Sequence, residues 1–494
     1  MLAWLACAAW LACGPTERWA GPPYVAPPPD AGAAVHELAV GWRQGEIDGS
    51  QLLQRVGALD LDPGPFELSG PLVGHHLLSA TPQPHFALAD VHVPEGSTLL
   101  LMPGAVLELS EAAQLRVDGE LYVIGTESLP ATITGRRGAP FATVRLGGTG
   151  PHRLHGCRLT HGVDLVSIDG SGDSDTRIEH CSLDDWRHLA LFFKNADGLR
   201  IAHNSIGMQT ARADMKGETI NGSASRAVIE ANRFGRRRGR PDVVELKKCG
   251  DHLPVIQGNL FEGGEDDAID LDDCSAIVTG NWIRNFRPSP SGRGAENGGG
   301  ITGDGSSAPL IANNVIENCL HGIGFKDGTQ PLIAHNTILD CDVGLTLYTS
   351  DEGKDRPHAV VYNNLFWGNR NPDTGAIQDV VLNGRWWRSY NHADDVQATF
   401  DAYGNLGGRV PFPASAGNQS LDPRLQREQG LPQPAPGSPA IGAGVPTLPA
   451  HPGFTEAQLA EVLASDFLGR PRSFGSEGSR ITPGALEPGE VPEN

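Results

Sequence analysis

The sequence predicts an all-β protein: a single-stranded right-handed parallel β-helix, a solenoid over about residues 91–400. An N-terminal cap region precedes it and an irregular C-terminal region, 401–494, follows. Three observations predict this. A short asparagine-centred repeat recurs along the chain. A second apolar strand follows most copies. The composition is rich in glycine and proline and poor in methionine, which suits a turn-rich β protein better than a helical one.

The repeat is an apolar residue, two others, then asparagine, any residue and a second apolar residue. It reads Ile201-Ala-His-Asn204-Ser-Ile206, Ile229-Glu-Ala-Asn232-Arg-Phe234, Ile256-Gln-Gly-Asn259-Leu-Phe261 and Val278-Thr-Gly-Asn281-Trp-Ile283. It continues as Ile311-Ala-Asn-Asn314-Val-Ile316, Ile333-Ala-His-Asn336-Thr-Ile338 and Val361-Tyr-Asn-Asn364-Leu-Phe366. Cys157 and Cys181 take the asparagine slot in two earlier copies. Self-similarity at this period is the mark of a solenoid, and repeats this short leave little room for helices. Asparagine tolerates the left-handed or bridge backbone of a sharp turn. Stacked identical amides also bond to one another, as asparagine ladders do in parallel stacks.

The second strand appears as Asp242-Val-Val-Glu-Leu-Lys247, Asp267-Ala-Ile-Asp-Leu-Asp272, Gly300-Ile-Thr-Gly-Asp304, Gly322-Ile-Gly-Phe-Lys326 and Gly344-Leu-Thr-Leu-Tyr348. Alternation sends Val244, Leu246, Ile269, Leu271, Ile323, Phe325, Leu345 and Leu347 inward. The residues between them then face out. Strands in a parallel stack lie about 4.8 Å apart, so each outward residue meets its equivalent one coil away.

Residues 1–14 form a short apolar run with the character of a signal-peptide core rather than a membrane span. Leu11-Ala12-Cys13-Gly14 also fits a lipoprotein cleavage site with Cys13 lipidated, so both plain secretion and an envelope anchor stay open. Residues 15–34 read as a proline-rich linker, 35–90 as the cap region with a short helix in 35–60, and Thr455–Ala464 as helical. The other cysteines, at 157, 181, 249, 274, 319 and 341, lack CxxC spacing, which argues against zinc; they are expected to be small buried rung residues. The formal charge of −21 at pH 7 excludes nucleic acid as a default partner and suits cation binding. A monomer is expected.

These repeats resemble those of bacterial right-handed parallel β-helix proteins of the pectin-lyase-like superfamily, which includes pectate, alginate and chondroitin lyases. The tail Gly437-Ser-Pro-Ala-Ile-Gly-Ala-Gly444, Asp466-Phe-Leu-Gly-Arg-Pro-Arg472 and Ile481-Thr-Pro-Gly-Ala-Leu-Glu487 resembles that of many secreted members. A narrower resemblance is to the chondroitinase B and alginate lyase family, carried by Gly217-Glu-Thr-Ile220, Asn232-Arg-Phe234 and Asp242-Val-Val-Glu-Leu-Lys247 in that order. It implies a calcium ion that neutralises a substrate carboxylate, Asp242 in the place of a ligand glutamate, and Lys247 as general base. The chain departs from that pattern twice. Met215 stands about where the family has a ligand asparagine, and the family's arginine falls within the acidic Asp267–Asp272.

Whatever the family, the register predicts a polar stripe. Glu245 and Lys247 face out beside Asp270 and Asp272, then Thr302 and Asp304, Gly324 and Lys326, Thr346 and Tyr348. Clustered carboxylates suit a hard cation, with Asp242, Glu245, Asp270 and Asp272 as candidate calcium ligands. Like charges held close also raise a carboxylate pKa, so Asp267 and Asp270 are candidate acid/base residues beside Lys247. Arg236, Arg238 and Arg240, on a basic loop, and Lys326 are candidate contacts to an anionic polysaccharide, although Lys326-Asp327-Gly328 also reads as an ordinary turn. Trp386, Trp387 and Tyr390 suit either sugar stacking or cover for the last coils. The functional expectation is an exported protein that binds an acidic polysaccharide and cleaves it by calcium-assisted β-elimination. A non-catalytic adhesion scaffold and a glycoside hydrolase with a carboxylate pair stay open.

Overall fold

The computed structural model describes residues 29–59, 61–173, 175–208, 217–239, 241–288, 298–350, 354–381, 399–472, 474 and 480–488. Cys13, Met215, Arg240, Trp386, Trp387 and Tyr390 lie outside them.

The chain winds as a parallel β-solenoid with three short strands per coil. Val228–Glu230, Arg233–Phe234 and Val244–Lys247 make one coil; Val255–Gln257, Leu260–Phe261 and Ile269–Asp272 stack on them in register. Three files of strands run up the molecule, one of them 13 strands long. The core is continuous along the axis. Val244, Leu246, Ile269, Leu271, Ile323, Phe325, Leu345 and Leu347 all point into it and are at most 1% exposed. Period-2 alternation therefore assigns every face of these strands.

The asparagines form one unbroken file. From Asn204 through Asn232, Asn259, Asn281, Asn314, Asn336, Asn364 and Asn405 to Asn418, each side-chain amide donates to the next at 2.9–3.0 Å. Each carbonyl oxygen from Asn232 onward also accepts the backbone N–H of the asparagine below, as Asn281 does from Asn259 at 3.0 Å, and Asn204 accepts that of Cys181. The left-handed residue is not the asparagine itself, as the sequence suggested, but the one before it. His203, Ala231, Asn313, His335 and Asn363 sit at φ of 51–57°. The chain bends there, and the asparagine then turns inward to satisfy backbone groups that the bend takes out of the ladder.

Parallel pairing begins earlier than residue 91, with Glu67–Pro71 on His85–Val93, and continues past 400 to Gln419–Ser420 on Leu406–Gly407. The first coils lack the asparagine signature of the later ones. Helix α1 spans Pro29–Arg43 and so starts inside the expected linker, with a proline in its first turn where no intrahelical N–H is needed. Helix α2, Gly49–Gly57, opens with an Asp48/Gln51 capping box. Together they form the N-terminal cap, packing Val35, Ala39, Leu52 and Val56 on outward Leu77, Leu100, Met102 and Tyr122. Among the described residues no helix is long and apolar enough to cross a membrane.

The C-terminal region lies along the flank of the coils. Outward Leu310, Ala312, Leu332, Ala334, Val360 and Tyr362 are apolar and need cover, which Phe454, Leu459 and Leu463 supply. The last two sit on helix α3, Glu456–Leu463. The Asp466-to-Arg472 motif is a docking device. The Asp466 carboxylate accepts from the N–H groups of Leu468, Arg470 and Glu487. Buried Arg472 bonds Asn313 at 2.6 Å and Glu487 at 3.0 Å.

The cysteines correct the sequence reading in part. Cys249 and Cys274 form a disulfide between adjacent coils. Cys157, Cys181, Cys319 and Cys341 are buried thiols. Stacking put Cys249 and Cys274 at matching positions, which sequence spacing alone does not reveal.

Candidate functional site

The Val244–Lys247, Ile269–Asp272 and Gly299–Asp304 strands lie side by side. Glu245 pairs with Asp270 and Lys247 with Asp272; one coil further, Asp270 pairs with Thr302 and Asp272 with Asp304. Inward Val244, Leu246, Ile269 and Leu271 anchor the strands, so the alternate polar residues must converge on the outer face.

Oxygen atoms of Asp242, Glu245 and Asp270 lie within 4.8 Å of one another, and those of Asp242, Asp266 and Asp267 do likewise. Asp242 thus belongs to both groups. Burial, followed by the charges of Asp267, Asp270 and Asp266, holds the Asp242 carboxyl well above the ordinary range. Burial, then Asp272 and Asp267, does the same to Asp270. Burial also raises Glu245, against the pull of Lys247. Such carboxyls hold protons or a cation, because bare like charges this close repel strongly.

Asp272 stands apart from both groups. It is pushed up to about 6 by burial and by its shared hydrogen bond with Asp304. Asp267 is raised by burial but is held in place by Thr302 Oγ1 at 2.8 Å and by the N–H groups of Gly299 and Gly298 at 2.6 and 3.3 Å. A Cβ on Gly299 would fall 2.7 Å from Asp267 Oδ1, so this donor position needs glycine.

The two lysines face this patch from opposite sides. Lys247 forms an ion pair with Glu245. Burial pushes its ammonium down, but Glu245, then Asp272 and Glu218, outweigh that and hold it above the ordinary lysine value. Lys326 pairs with Asp304 at 3.4 Å. Burial also works against its charge, and Tyr348, then Asp304, Asp270 and Asp272, outweigh it. Lys326 is thus an internal countercharge of the acidic patch. Asp327 caps a turn by accepting from Ser350 N and Oγ.

Sequence reasoning missed three contributors. Asn221, one coil below, donates its amide to Glu245 at 2.5 Å. Asp266 completes the second carboxylate group; the acidic run 265–267 reads in sequence as flanking the patch, not as part of it. Arg237 is the buried member of the basic loop. It donates to the Gly217 carbonyl and lies 5.6 Å from the Trp186 ring centroid, its pKa pushed down to about 10 by burial. Arg236 and Arg238 are exposed on either side of it. No spacing rule distinguishes the anchored arginine from its neighbours.

Residues 243–380 match the family model for the right-handed β-helix region. The solenoid is a right-handed parallel β-helix. In structure this β-helix is similar to pectate lyase Pel9A, with 14% identity and a TM-score of 0.37 over 80% of this chain and 88% of that one. It is also similar to AlyGC, a PL6-family alginate lyase, with 16% identity and a TM-score of 0.39 over 70% of this chain. The β-helix spans 55% of the length of AlyGC. A search of curated proteins finds no match.

Proposed function

We propose that this β-helix binds a uronate-containing acidic polysaccharide along its outer strand face and cleaves it by calcium-assisted β-elimination. The observation that carries the reading is the convergence of Asp242, Glu245 and Asp270 beside Lys247. The donor set fits calcium: all ligand atoms are hard carboxylate oxygens, and burial leaves them short of solvent. Asp242, Glu245 and Asp270 would hold the ion, with Asn221 steadying Glu245. Bound calcium supplies positive charge that neutralises a substrate carboxylate and makes the neighbouring C–H more acidic.

The chain's own residues do the rest. Lys247 is the base. While paired with Glu245 it is held protonated; with Glu245 engaged as a ligand the main attraction that raises the ammonium would weaken, which would bring the lysine amine closer to use as a base. Its nitrogen takes the proton α to the uronate carboxyl group. The electron pair forms the new C=C bond as the glycosidic C–O bond on the β carbon breaks, and the leaving oxygen takes a proton from solvent. Lys326 stays charged and keeps Asp270 and Asp272 from repelling the substrate outright. Exposed Arg236 and Arg238 give the chain of carboxylates a cationic edge. The tight bonding of Asp267 to Thr302, Gly298 and Gly299 disfavours its use as a mobile acid in a hydrolase.

The test is a screen of alginate, pectate and glycosaminoglycans with calcium or with chelator. The expected result is calcium-dependent absorbance from an unsaturated uronate, abolished in Lys247→Ala. Reducing ends without that absorbance would indicate hydrolysis instead. Retention of a polysaccharide without any cleavage would favour an adhesive scaffold. Lyase activity that survives Lys247→Ala would remove the base assignment.

A further inference from the structure

The cysteines of the solenoid come in register pairs. Arg158 pairs with Ser182, which sets Cys157 beside Cys181. Lys247 pairs with Asp272, which sets Cys249 beside Cys274. Glu317 pairs with Leu339, which sets Cys319 beside Cys341. Among the described residues no cysteine lacks such a partner. A small residue chosen only to fill a rung has no reason to match its neighbour every time. The middle pair is already a disulfide, with Cα atoms 4.7 Å apart. Neighbouring parallel strands hold Cα atoms about 4.8 Å apart, inside the roughly 4.4–6.8 Å that a disulfide spans, so the backbone of the other pairs need not move.

The side chains agree. The sulfurs of Cys157 and Cys181 approach to 3.1 Å, closer than the roughly 3.5–4 Å at which non-bonded heavy atoms settle. Cys319 and Cys341 each direct Sγ to the carbonyl two residues back, both at 3.3 Å, in equivalent poses one coil apart. We propose that Cys157–Cys181 and Cys319–Cys341 close as disulfides in the mature protein, giving the β-helix three covalent staples between successive coils. Each closure is a two-electron exchange with a small-molecule disulfide such as oxidised glutathione. One protein thiolate attacks the reagent and releases one thiol; the second protein thiolate attacks the mixed disulfide, forms the protein S–S bond and releases the other. The thiols are fully buried once the coils have stacked, and buried thiols are inert, so the exchange takes place while the coils assemble.

The staples would have a purpose suited to this architecture. A solenoid is held by contacts between neighbours and can open coil by coil. The first pair lies on the two coils just before Asn204, the second follows Asn232 and Asn259, and the third follows Asn314 and Asn336, so the staples are spread along the solenoid. The middle one follows directly on the strands that carry Glu245, Lys247, Asp270 and Asp272. The inference does not depend on the proposed activity.

The test is disulfide mapping of the full chain folded with oxidised glutathione. The protein is denatured without reductant, alkylated, digested and read peptide by peptide, which sets Cys7 and Cys13 aside. The expected result is no alkylation at Cys157, Cys181, Cys319 or Cys341 before reduction, and linked peptides joining 157 to 181 and 319 to 341. In Cys181→Ser, Cys157 should become fully alkylated while the 319–341 link persists. Alkylation of these four cysteines in the unreduced wild-type protein, or links between other partners, would overturn the proposal.

Discussion

Replacing Asp270 by asparagine asks whether the acidic cluster is kept at the expense of stability, as a cation site would be. Asp270 shares a space with Asp242 and Glu245, with oxygen atoms within 4.8 Å. At an effective dielectric constant of about 20, two unit charges at that separation repel by roughly 3.5 kcal/mol. Thr302 Oγ1 lies 3.2 Å from Asp270 Oδ1 but is closer to Asp267, at 2.8 Å, so the exchange for asparagine gives up no donated bond. The substitution therefore removes a charge and little else. A carboxyl whose pKa is raised on folding holds more protons folded than unfolded between its ordinary value, about 3.9, and its raised one. Its favourable contribution is present at low pH and is lost as pH climbs through that window. Asp270→Asn should therefore be more stable than the wild type at pH 8 in chelator, by about 1–3 kcal/mol, with the gap closing near pH 4. Excess calcium should reverse the order, because a ligand at about 1,000 times its Kd adds about 4.1 kcal/mol to the wild type alone. Urea unfolding followed by far-ultraviolet circular dichroism measures all of this. An asparagine variant that is destabilised in chelator by the same amount at pH 4 and pH 8 would show that Asp270 has a packing role instead.

Other expectations follow from the same geometry. Asn281→Ala removes side-chain bonds with Asn259, Asn314 and Ile256 from a fully buried site and should cost about 4 kcal/mol, read from urea unfolding; a loss under about 1 kcal/mol would mean the amide file is not a source of stability. Glu245→Gln removes the main partner that keeps the Lys247 ammonium raised, so in calcium-free protein the titration of Lys247 Nζ by nuclear magnetic resonance should move down; an unmoved titration would transfer that role to Asp272 and Glu218. Arg472→Ala removes the buried cation that pairs Glu487 and bonds Asn313 Oδ1, and should loosen the C-terminal flank by about 3–5 kcal/mol, detected as faster proteolysis after residue 440 with the coils intact.

The sequence carried the coil register because that register is a local property. Alternation in Val244-Glu-Leu-Lys247 and Ile269-Asp-Leu-Asp272 assigns each side chain to core or surface, and the repeated asparagine aligns one coil with the next. Glu245 beside Asp270 and Lys247 beside Asp272 follow from those two facts, and both pairings are present. Only the tertiary structure brought in Asp266 and Asn221, buried Arg237 between two exposed arginines, and separated Asp272 from the carboxylates around Asp242. These depend on loops whose lengths vary from coil to coil and on rotamers chosen by neighbours distant in sequence. The flank cover from Phe454 to Leu463 and the pairing of the cysteines depend on the same thing. Stacking is encoded rung by rung, but which side chains meet across a rung's outer edge is settled by the paths that the loops take between rungs.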